Sequence, residues 1–356
     1  MEERRATITI LLVLCLFISI LSFPLVSAIE DSWTTMAPLP TSSDIDDAVA
    51  VDGKIYLLGS SKNVQYDPET NTWSQLAPPP IPNYWANVVA CQNKIYIIGG
   101  EAEKLTQVYD PATDTWENRT SIPSTRIGLQ ENVVDGKIYL IGGLIPSPLG
   151  VINPSSANDV YDPATDSWST MAPIPTPVGG APSAVLDDKI YIIGGANSGG
   201  PDYSPINQVQ IFDPKTNQWT NGTPIPTGVF SAGGCATTGL FAPKRIYVVG
   251  GTTNYYFREG YAERASIDLN QVYDPITDTW TIGTPMLDPR FGLEVAVVND
   301  ELYVIGGSNE DGRLYVNEKY TPIGYIPEFP SWIILPLFIV ATLVVMFVRN
   351  RFSRRY

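Results

Sequence analysis

The residues that could do chemistry in this chain are carboxylates, arginines and aromatics, because histidine is absent from all 356 positions. Its absence excludes a Ser-His-Asp triad, histidine acid–base catalysis and histidine metal ligands. No recognisable catalytic motif remains. We therefore predict neither a metal site nor a cofactor, and any catalysis would have to use carboxylates and arginine.

Two positions at fixed distances after six tryptophans are candidate ligand-binding positions. Fourteen residues after each tryptophan lie Asp47, Asn87, Gln130, Pro182, Gly233 and Glu294. The four polar members either bind a sugar or a cation, or line a water-filled space. Ten residues after the tryptophans lie Arg126 and Arg290, with Ser43, Asn83, Val178 and Val229 in the other copies. These arginines either contact a ligand or form local salt bridges.

Aromatic residues form a third candidate surface. Segment 252–270 contains Tyr255, Tyr256, Phe257 and Tyr261 beside four charged residues. Tyr203 lies in an earlier loop, and Tyr84 and Trp85 lie in a Pro-rich connection. Exposed aromatic rings beside charges suit sugars and protein hot spots. The alternative is that these side chains pack within their own loops.

These candidates are positioned by a repeat. A typical copy has an apolar, β-branched strand that ends in two glycines (Gly59-Ser60 in the first copy), then a second strand, an Asp-Pro turn and a tryptophan. The turns read DPETNTW, DPATDTW, DPATDSW, DPKTNQW and DPITDTW, at 67–73, 110–116, 162–168, 213–219 and 274–280. Asp114 and its equivalents can take the left-handed conformation that such a hairpin requires. The repeat therefore predicts the fold.

The sixth copy indicates how the array closes. It contains Tyr303, Gly306-Gly307 and Tyr320, but no tryptophan follows. The missing residue has a counterpart in Trp33, because DSWTTMAPLP at 31–40 nearly matches DSWSTMAPIP at 166–175. The N-terminal strand is thus predicted to complete the last repeat, which removes the free sheet edges.

The glycine pair, the Tyr-Asp-Pro turn and the tryptophan, repeated every 40 to 60 residues, resemble the kelch family. The resemblance covers roughly residues 31–322 and implies an all-β, six-bladed propeller of four-stranded antiparallel blades, the last closed by the N-terminal strand. It also implies that the positions fourteen residues after each tryptophan lie near the central channel. In some kelch proteins an arginine at the Arg126 and Arg290 position contacts acidic partner peptides.

The resemblance leaves the function open, because kelch propellers include enzymes, partner-binding modules and scaffolds. Some six-bladed members isomerise sialic acids, for which Glu294, Asp47 and Arg290 would be the candidates here. The segments after the glycine pairs vary most and are longest in copies three to five. They and the blade-to-blade crossovers are predicted to share one face, where we expect ligand contact.

Charge and cysteine usage narrow the partners. The net charge is −15, and it is about −19 without the four arginines of the C-terminal tail. Such a surface excludes nucleic acid and favours cationic partners or bound cations, unless it only keeps the protein soluble. Cys15 lies in an N-terminal apolar run, and we interpret Cys91 and Cys235 as buried thiols too far apart for a disulfide.

Both ends of the chain indicate export. Residues 1–28 resemble a signal peptide cleaved after Ala28, with an uncleaved anchor as the alternative. Residues 331–348 form an uncharged run long enough for a membrane helix, and basic residues 349–356 place the C-terminus in the cytoplasm. Residues 326–330 form a linker whose IPEFP context resembles archaeal surface-protein tails. The tail is either kept as an anchor or removed by a sortase-like enzyme.

We conclude that residues 29–325 form an extracellular propeller that binds a surface glycan or protein. The alternatives are a carbohydrate-active enzyme and a structural envelope component, and the oligomeric state stays open. Asn118 and Asn221 begin two glycosylation sequons, each two residues after a repeat tryptophan on an outermost strand.

Overall fold

Six four-stranded antiparallel sheets make up the described part of the chain, each a meander from an innermost to an outermost strand. The computed structural model describes residues 30–40, 45–59, 61–82, 85–100, 104–145, 153–197, 202–203, 205–258 and 261–326. At 45–46, 202–203, 255–258 and 261–264 it describes the backbone alone. The predicted six-bladed, all-β propeller is confirmed.

The chain begins with strand β1 (Ser32–Thr35), which joins the last sheet. The first blade consists of β2 (Ile45–Val51), β3 (Lys54–Gly59), β4 (Lys62–Asp67) and β5 (Thr72–Gln75). The second blade consists of β6 (Asn87–Cys91), β7 (Lys94–Ile98), β8 (Thr106–Asp110) and β9 (Thr115–Arg119). The third blade consists of β10 (Gln130–Val134), β11 (Lys137–Ile141), β14 (Asn158–Asp162) and β15 (Ser167–Thr170). Between β11 and β14 lies a short ribbon of β12 (Leu144–Ile145) and β13 (Asn153–Pro154).

The other three blades close the ring. The fourth blade consists of β16 (Ser183–Leu186), β17 (Lys189–Ile193), β19 (Val209–Asp213) and β20 (Gln218–Gly222). The fifth blade consists of β21 (Gly233–Ala236), β22 (Ile246–Val249), β25 (Asn270–Asp274) and β26 (Thr279–Gly283). The sixth blade consists of β27 (Glu294–Val298), β28 (Glu301–Ile305) and β31 (Asn317–Thr321) with β1. The loops add β18 (Asp202–Tyr203), β23 (Thr252–Arg258), β24 (Tyr261–Ser266), β29 (Ser308–Asn309) and β30 (Gly312–Arg313).

The hydrophobic core lies between the blades rather than within them. One cluster joins Tyr56 and Leu58 of the first blade to Ile95, Ile97 and Tyr109 of the second. Both faces of a central strand must therefore be apolar, which explains why KIYII at 94–98 is a continuous rather than an alternating run. The two glycines that end this strand in five of the blades take positive φ, +68° and +122° at Gly99 and Gly100.

The N-terminal strand completes the sixth blade as the sequence predicts. Strand β1 pairs antiparallel with β31, and Trp33 lies opposite Tyr320. The Tyr320 hydroxyl donates a 2.7 Å hydrogen bond to Asp31. Residues almost three hundred positions apart thus take the places that Tyr161, Asp166 and Trp168 occupy within one blade.

A repeated contact, which we name the latch, joins each blade to the preceding one. Each indole N–H donates to the carbonyl four residues after the previous tryptophan, at 2.8–3.0 Å, in the pairs Trp33–Thr284, Trp73–Ala37, Trp116–Ala77, Trp168–Thr120, Trp219–Ala172 and Trp280–Thr223. An Asp or Asn two residues before the tryptophan accepts a hydrogen bond from that same residue, as Asp114 does from the Ala77 N–H. Asp114 has the expected left-handed φ of +54°.

The predicted signal peptide, membrane helix and basic tail (1–28, 331–348 and 349–356) lie outside the described residues. Within the described part of the chain, no helix has the length and apolar character needed to cross a bilayer. Cys91 and Cys235 are both buried and unbonded to one another, as the sequence predicts.

Candidate functional site

A cavity of about 710 Å³ lies at the centre of the ring and is lined by residues from all six innermost strands. The positions fourteen residues after each tryptophan all reach its wall: Asp47, Asn87, Gln130, Pro182, Gly233 and Glu294. The structure therefore brings these six predicted positions together. Whether they bind a ligand stays a prediction.

The cavity lies on the face that carries the long loops. Residues just before four innermost strands form bridges with residues just after the glycine pairs: Ile127 with Leu144, Gly179 with Ala196, Phe230 with Thr252 and Phe291 with Ser308. Crossovers and loops thus emerge side by side, as predicted. Leu144, Phe230, Thr252 and Phe291 also line the cavity, so both kinds of segment contribute to its wall.

A collar of backbone surrounds the cavity at the residue twelve positions after each tryptophan. Four members, Gly128, Gly180, Ser231 and Gly292, have φ values between +52° and +58°. Their backbones hydrogen-bond in series around the channel, from Gly292 N–H to Ser231, from Ser231 to Gly180 and from Gly180 to Gly128. Glycine suits this left-handed conformation, and at Gly180 a Cβ would also come within 2.4 Å of the Phe230 ring.

Trp85 occupies the collar position of the second blade. Its φ is +55°, a conformation that a bulky side chain adopts only at a cost in energy, and its side chain is 59% exposed at the cavity. Phe230 and Phe291, which precede the fifth and sixth blades, are half-buried elsewhere in the same lining. The rim therefore presents aromatic surface, which the sequence predicted at Trp85. Tyr84 lies outside the described residues.

Three acidic residues, Asp47, Glu131 and Glu294, line this cavity, and no lysine or arginine is among its described lining residues. Asp47 and Glu294 share a hydrogen bond, and burial raises the pKa of Asp47 against the opposing effect of that bond. Burial raises the pKa of Glu131 well above its usual range, and the Asp47 charge raises it further. Loss of hydration is therefore not compensated by cationic groups of the cavity wall.

Glu131 was missed by the sequence reasoning, which considered only the neighbouring position. A signal was available: fifteen residues after the tryptophans, the other copies have Ala48, Val88, Ser183, Gly234 and Val295. Glu131 is the single charged residue in that set. A charged residue at a position that is otherwise apolar or small is typical of a site with a role beyond packing.

The amide side chains of Asn87 and Gln130, both predicted to lie at the channel, hydrogen-bond to backbone carbonyls. Asn87 donates a 2.9 Å hydrogen bond to the Ile98 carbonyl, and Gln130 donates one of 3.0 Å to the Gly128 carbonyl. Gln130 is only 1% exposed, and its amide oxygen has no hydrogen-bond partner. An unsatisfied buried acceptor is uncommon in folded proteins.

Arg126 and Arg290 lie outside the cavity wall, in buried ion pairs. Arg126, 1% exposed, pairs with Asp159 and donates to the Gly142 carbonyl at 2.6 Å. Arg290, 0% exposed, pairs with Glu318 at 2.9 Å. Burial lowers the pKa of Arg126 and raises the pKa of Glu318. Neither guanidinium is available at the surface, so ligand contact by these arginines stays a prediction that needs a rearrangement.

The remaining blades explain what these ion pairs do. In three of them a glutamine two residues before the repeat aromatic residue makes two hydrogen bonds to one residue of the crossover. Its amide oxygen accepts from the backbone N–H and its amide nitrogen donates to the carbonyl, in the pairs Gln107 with Ile81, Gln210 with Thr176 and Gln271 with Thr227. Asp159 and Glu318 occupy the glutamine position in the blades that have an arginine. Five crossovers are therefore tied to the third strand of their blade, three by glutamine and two by an ion pair, whereas the first blade has Val64 at this position.

The aromatic segment of the fifth copy forms part of a three-stranded sheet. Strand β23, with Tyr255 and Tyr256, pairs with β18 on one side and with β24 on the other. The side chains of these two tyrosines lie outside the description, so their predicted ligand contact is untested. The sequon residues Asn118 and Asn221 are exposed on outermost strands β9 and β20, as predicted, whereas glycosylation itself stays a prediction.

Among the described residues, no group of three or more Asp, Glu or Cys side chains has the geometry of a metal site. The cavity therefore offers carboxylates, an amide and aromatic rings as its chemistry. These groups suit hydrogen bonding, charge pairing and stacking.

Comparisons with known proteins agree with this architecture. The model of the KLHDC2/KLHL20/DRC7 Kelch-repeats domain matches residues 46–251 and 150–307, and the Kelch motif matches 289–336. Kelch-like protein 35 of Mus musculus is 31% identical over 153 residues, which are 43% of this chain and 23% of that protein. Kelch-like protein terF of Aspergillus terreus is 30% identical over 148 residues, 41% of this chain and 31% of that protein.

A solved structure of YjhT superposes with a TM-score of 0.65 at 17% identity, covering 80% of this chain and 96% of that one. That likeness concerns the fold. The matches span about a quarter to a third of the length of the two curated relatives, so most of each relative lies outside the aligned region. The chain belongs to the kelch-repeat family, whose domains generally mediate protein interactions.

Proposed function

We propose that this chain is an exported, membrane-anchored propeller that binds a cell-surface protein with its channel face. The observation that carries the proposal is the central cavity of about 710 Å³, rimmed by an exposed tryptophan and lined by carboxyl groups. Concave sites with a few convergent polar groups are the usual ligand sites of folded proteins. The predicted signal peptide and membrane helix support the proposed location.

The collar supports a binding role for this face. Trp85 has a conformation that glycine takes in three of the other blades, so a smaller residue would be more favourable for folding alone. A large aromatic group kept at a strained position beside a cavity is typical of binding sites. Aromatic side chains contribute much of the energy of protein interfaces.

Photo-crosslinking on intact cells tests the binding proposal. The full-length chain carries p-benzoylphenylalanine either at position 85, on the rim, or at position 276, an exposed site on a hairpin at the opposite end of the strands. We expect position 85 alone to capture a surface protein, in competition with excess unlabelled chain. Equal capture at both positions would contradict it. Loss of capture after glycosidase treatment would instead assign the contact to a glycan.

External protease tests the location separately. If the chain is exported and anchored, protease added to intact cells removes the propeller and leaves a small membrane-bound fragment. Full protection of the propeller until the cells are lysed would contradict export. Release of the intact propeller into the medium would contradict anchoring.

A second candidate, a carbohydrate-active enzyme, is favoured by one observation. Asp47 and Glu294 share a hydrogen bond, burial raises the pKa of Asp47, and two adjacent carboxyl groups can act as acid and base. Arg290, the third residue predicted to take part in such a reaction, does not line the cavity and forms an ion pair with Glu318. Unchanged turnover of sialic acid anomers by Glu294→Gln, relative to wild type, would remove this candidate.

A further inference from the structure

The cavity has an electrostatic imbalance that the wall does not correct. Asp47, Glu131 and Glu294 come from three different blades, yet the part of the lining that the structure describes includes neither lysine nor arginine. Elsewhere in the described chain, acidic side chains near strand ends have cationic partners. An aspartate of the neighbouring hairpin pairs with Lys54, with Lys137 and with Arg245. The absence of a counter-charge is therefore local to the cavity.

A second feature of the same wall complements a cation. The exposed Trp85 ring offers a π-face, which attracts guanidinium and ammonium groups. The described residues of the wall thus supply carboxyl groups and an aromatic face, and none of them is a cationic donor.

We propose that the cavity binds the guanidinium group of an arginine side chain presented by the protein partner. The proposal rests on the proposed function and specifies the chemistry of the partner. A guanidinium has five N–H donors in one plane, so it can bond to two carboxylates at once and stack on an indole. An ammonium is a compact, more strongly hydrated charge and matches this combination less well.

The size of the cavity agrees with this occupant. About 710 Å³ lies within the range of sites that hold whole small molecules, so a side chain and part of its backbone can enter together. The collar glycines Gly128, Gly180 and Gly292 carry no side chain to obstruct the entrance. Charge complementarity between an acidic site and a basic partner also increases the rate of association.

Three short peptides test the proposal with the full-length chain. Acetyl-Gly-Arg-Gly-amide, its lysine analogue and its citrulline analogue have similar shapes, and citrulline is the uncharged counterpart of arginine. By saturation-transfer NMR we expect the arginine peptide to bind with a dissociation constant of about 1 mM, reasonable for so small a ligand. The lysine peptide should bind about threefold to tenfold more weakly, given its different geometry. The citrulline peptide should show no saturable binding.

Variants of the cavity assign the contact. Glu294→Gln and Glu131→Gln each remove one negative charge with little change in shape and should weaken arginine-peptide binding about tenfold. Trp85→Gly gives the second blade the residue of three other blades and should weaken binding about threefold. Glu69→Gln, on an exposed turn of the first blade, removes an equal charge and should leave binding unchanged. A cooperative melting transition with a midpoint no lower than that of wild type establishes that each variant is folded.

Two results would overturn the inference: equal binding of the arginine and citrulline peptides, or equal effects of Glu294→Gln and Glu69→Gln. If position 85 still captures its partner while the arginine peptide fails to bind, the proposed function stands and only the arginine contact is wrong. If position 85 captures no partner although the arginine peptide binds in the cavity, the proposed function fails and the cavity is a site for small arginine-like cations.

Discussion

The carboxyl groups of the latches between blades and those of the central cavity have pKa values shifted in opposite directions. In the latch, Asp114 and Asp166 accept hydrogen bonds from Tyr109 and Tyr161 and from a backbone N–H of the preceding blade, which lowers their pKa values. In the cavity, burial raises the pKa values of Asp47 and Glu131. The difference lies in solvation: the latch carboxylates keep most of their contact with water, whereas the cavity carboxylates lose more hydration than hydrogen bonds such as that from the Ala48 N–H to Asp47 restore.

This comparison separates residues that stabilise the propeller from residues that are available to a ligand. A carboxylate that receives fixed hydrogen bonds contributes to stability, whereas a desolvated one without cations opposes it. Substitutions outside the cavity that remove a partner should therefore destabilise the protein. Substitutions that remove charge from the cavity should stabilise the protein, because the groups that would compensate that charge belong to a ligand and are missing when the protein folds alone.

The largest effect is expected at Arg290. Arg290→Ala leaves Glu318 as an uncompensated charge at 0% exposure, which should lower the free energy of unfolding by about 3–5 kcal/mol. Urea denaturation followed by fluorescence measures it. As a control, Arg313→Ala removes an exposed arginine of the same blade and should change stability by less than about 0.5 kcal/mol.

The double variant Arg290→Val/Glu318→Gln sharpens this test. It recreates the valine and glutamine that occupy these positions in the fourth and fifth blades, as Val178 with Gln210. We expect it to recover most of the stability lost by Arg290→Ala, because glutamine then ties the crossover without a charge. A double variant as unstable as Arg290→Ala would contradict the tethering role.

A smaller loss is expected in the latch. Tyr161→Phe removes the 2.6 Å hydrogen bond to Asp166 and should cost about 1 kcal/mol. The fourth blade offers a matched reverse change, because Phe212 occupies the tyrosine position beside Asn217. Phe212→Tyr should therefore be neutral or slightly stabilising. A loss of equal size in both variants, measured by urea denaturation, would show that packing rather than the hydroxyl governs this position.

The cavity should give the opposite sign. The pKa of Glu131 is raised by folding, so the protonated form favours the folded state and this stability is lost as the pH rises through the folded-state pKa. At pH 7 Glu131→Gln should thus raise Tm by about 2 °C, which corresponds to about 1 kcal/mol in a large domain. Near pH 4 the variant and the wild type should melt together. A lower Tm at pH 7 would contradict an uncompensated charge.

The latch supplies the contrasting pH dependence. The pKa of Asp166 is lowered by folding, so its stabilising effect is present at neutral pH and is lost as the pH falls through that lowered value. The Tm advantage of wild type over Asp166→Asn should therefore shrink in acid. That trend is the reverse of the one expected for Glu131→Gln, and both come from the same melting series.

The smallest effect is expected at the collar. Trp85→Gly relieves a left-handed conformation that costs a bulky residue about 1–2 kcal/mol. The greater entropy of glycine in the unfolded chain offsets part of it, so a net gain of about 0.5 kcal/mol is expected. Gly292→Ala is a control for backbone strain, because a Cβ there meets no atom within 4 Å and any loss then measures the left-handed conformation.

How much could be predicted from the sequence depended on whether a residue acts locally. The six-bladed ring, the closure by Trp33 and the left-handed Asp114 were all correct, because repeats impose one set of local contacts six times. The placement of Asp47, Asn87, Gln130 and Glu294 at the channel was also correct. Glu131 was missed, because strand alternation alone does not show which of two neighbouring side chains reaches a narrow axis.

The sequence by itself determined the blade, its turns and the number of blades, since apolar period, glycine pairs and Asp-Pro turns act over a few residues. Only the tertiary structure decided the state of each charge. Arg126 and Arg290 are paired because Asp159 and Glu318 face them across a blade. Asp47, Glu131 and Glu294 meet because ring closure brings distant blades to one axis. Desolvation and pairing depend on such distances in space, which separation along the chain does not give.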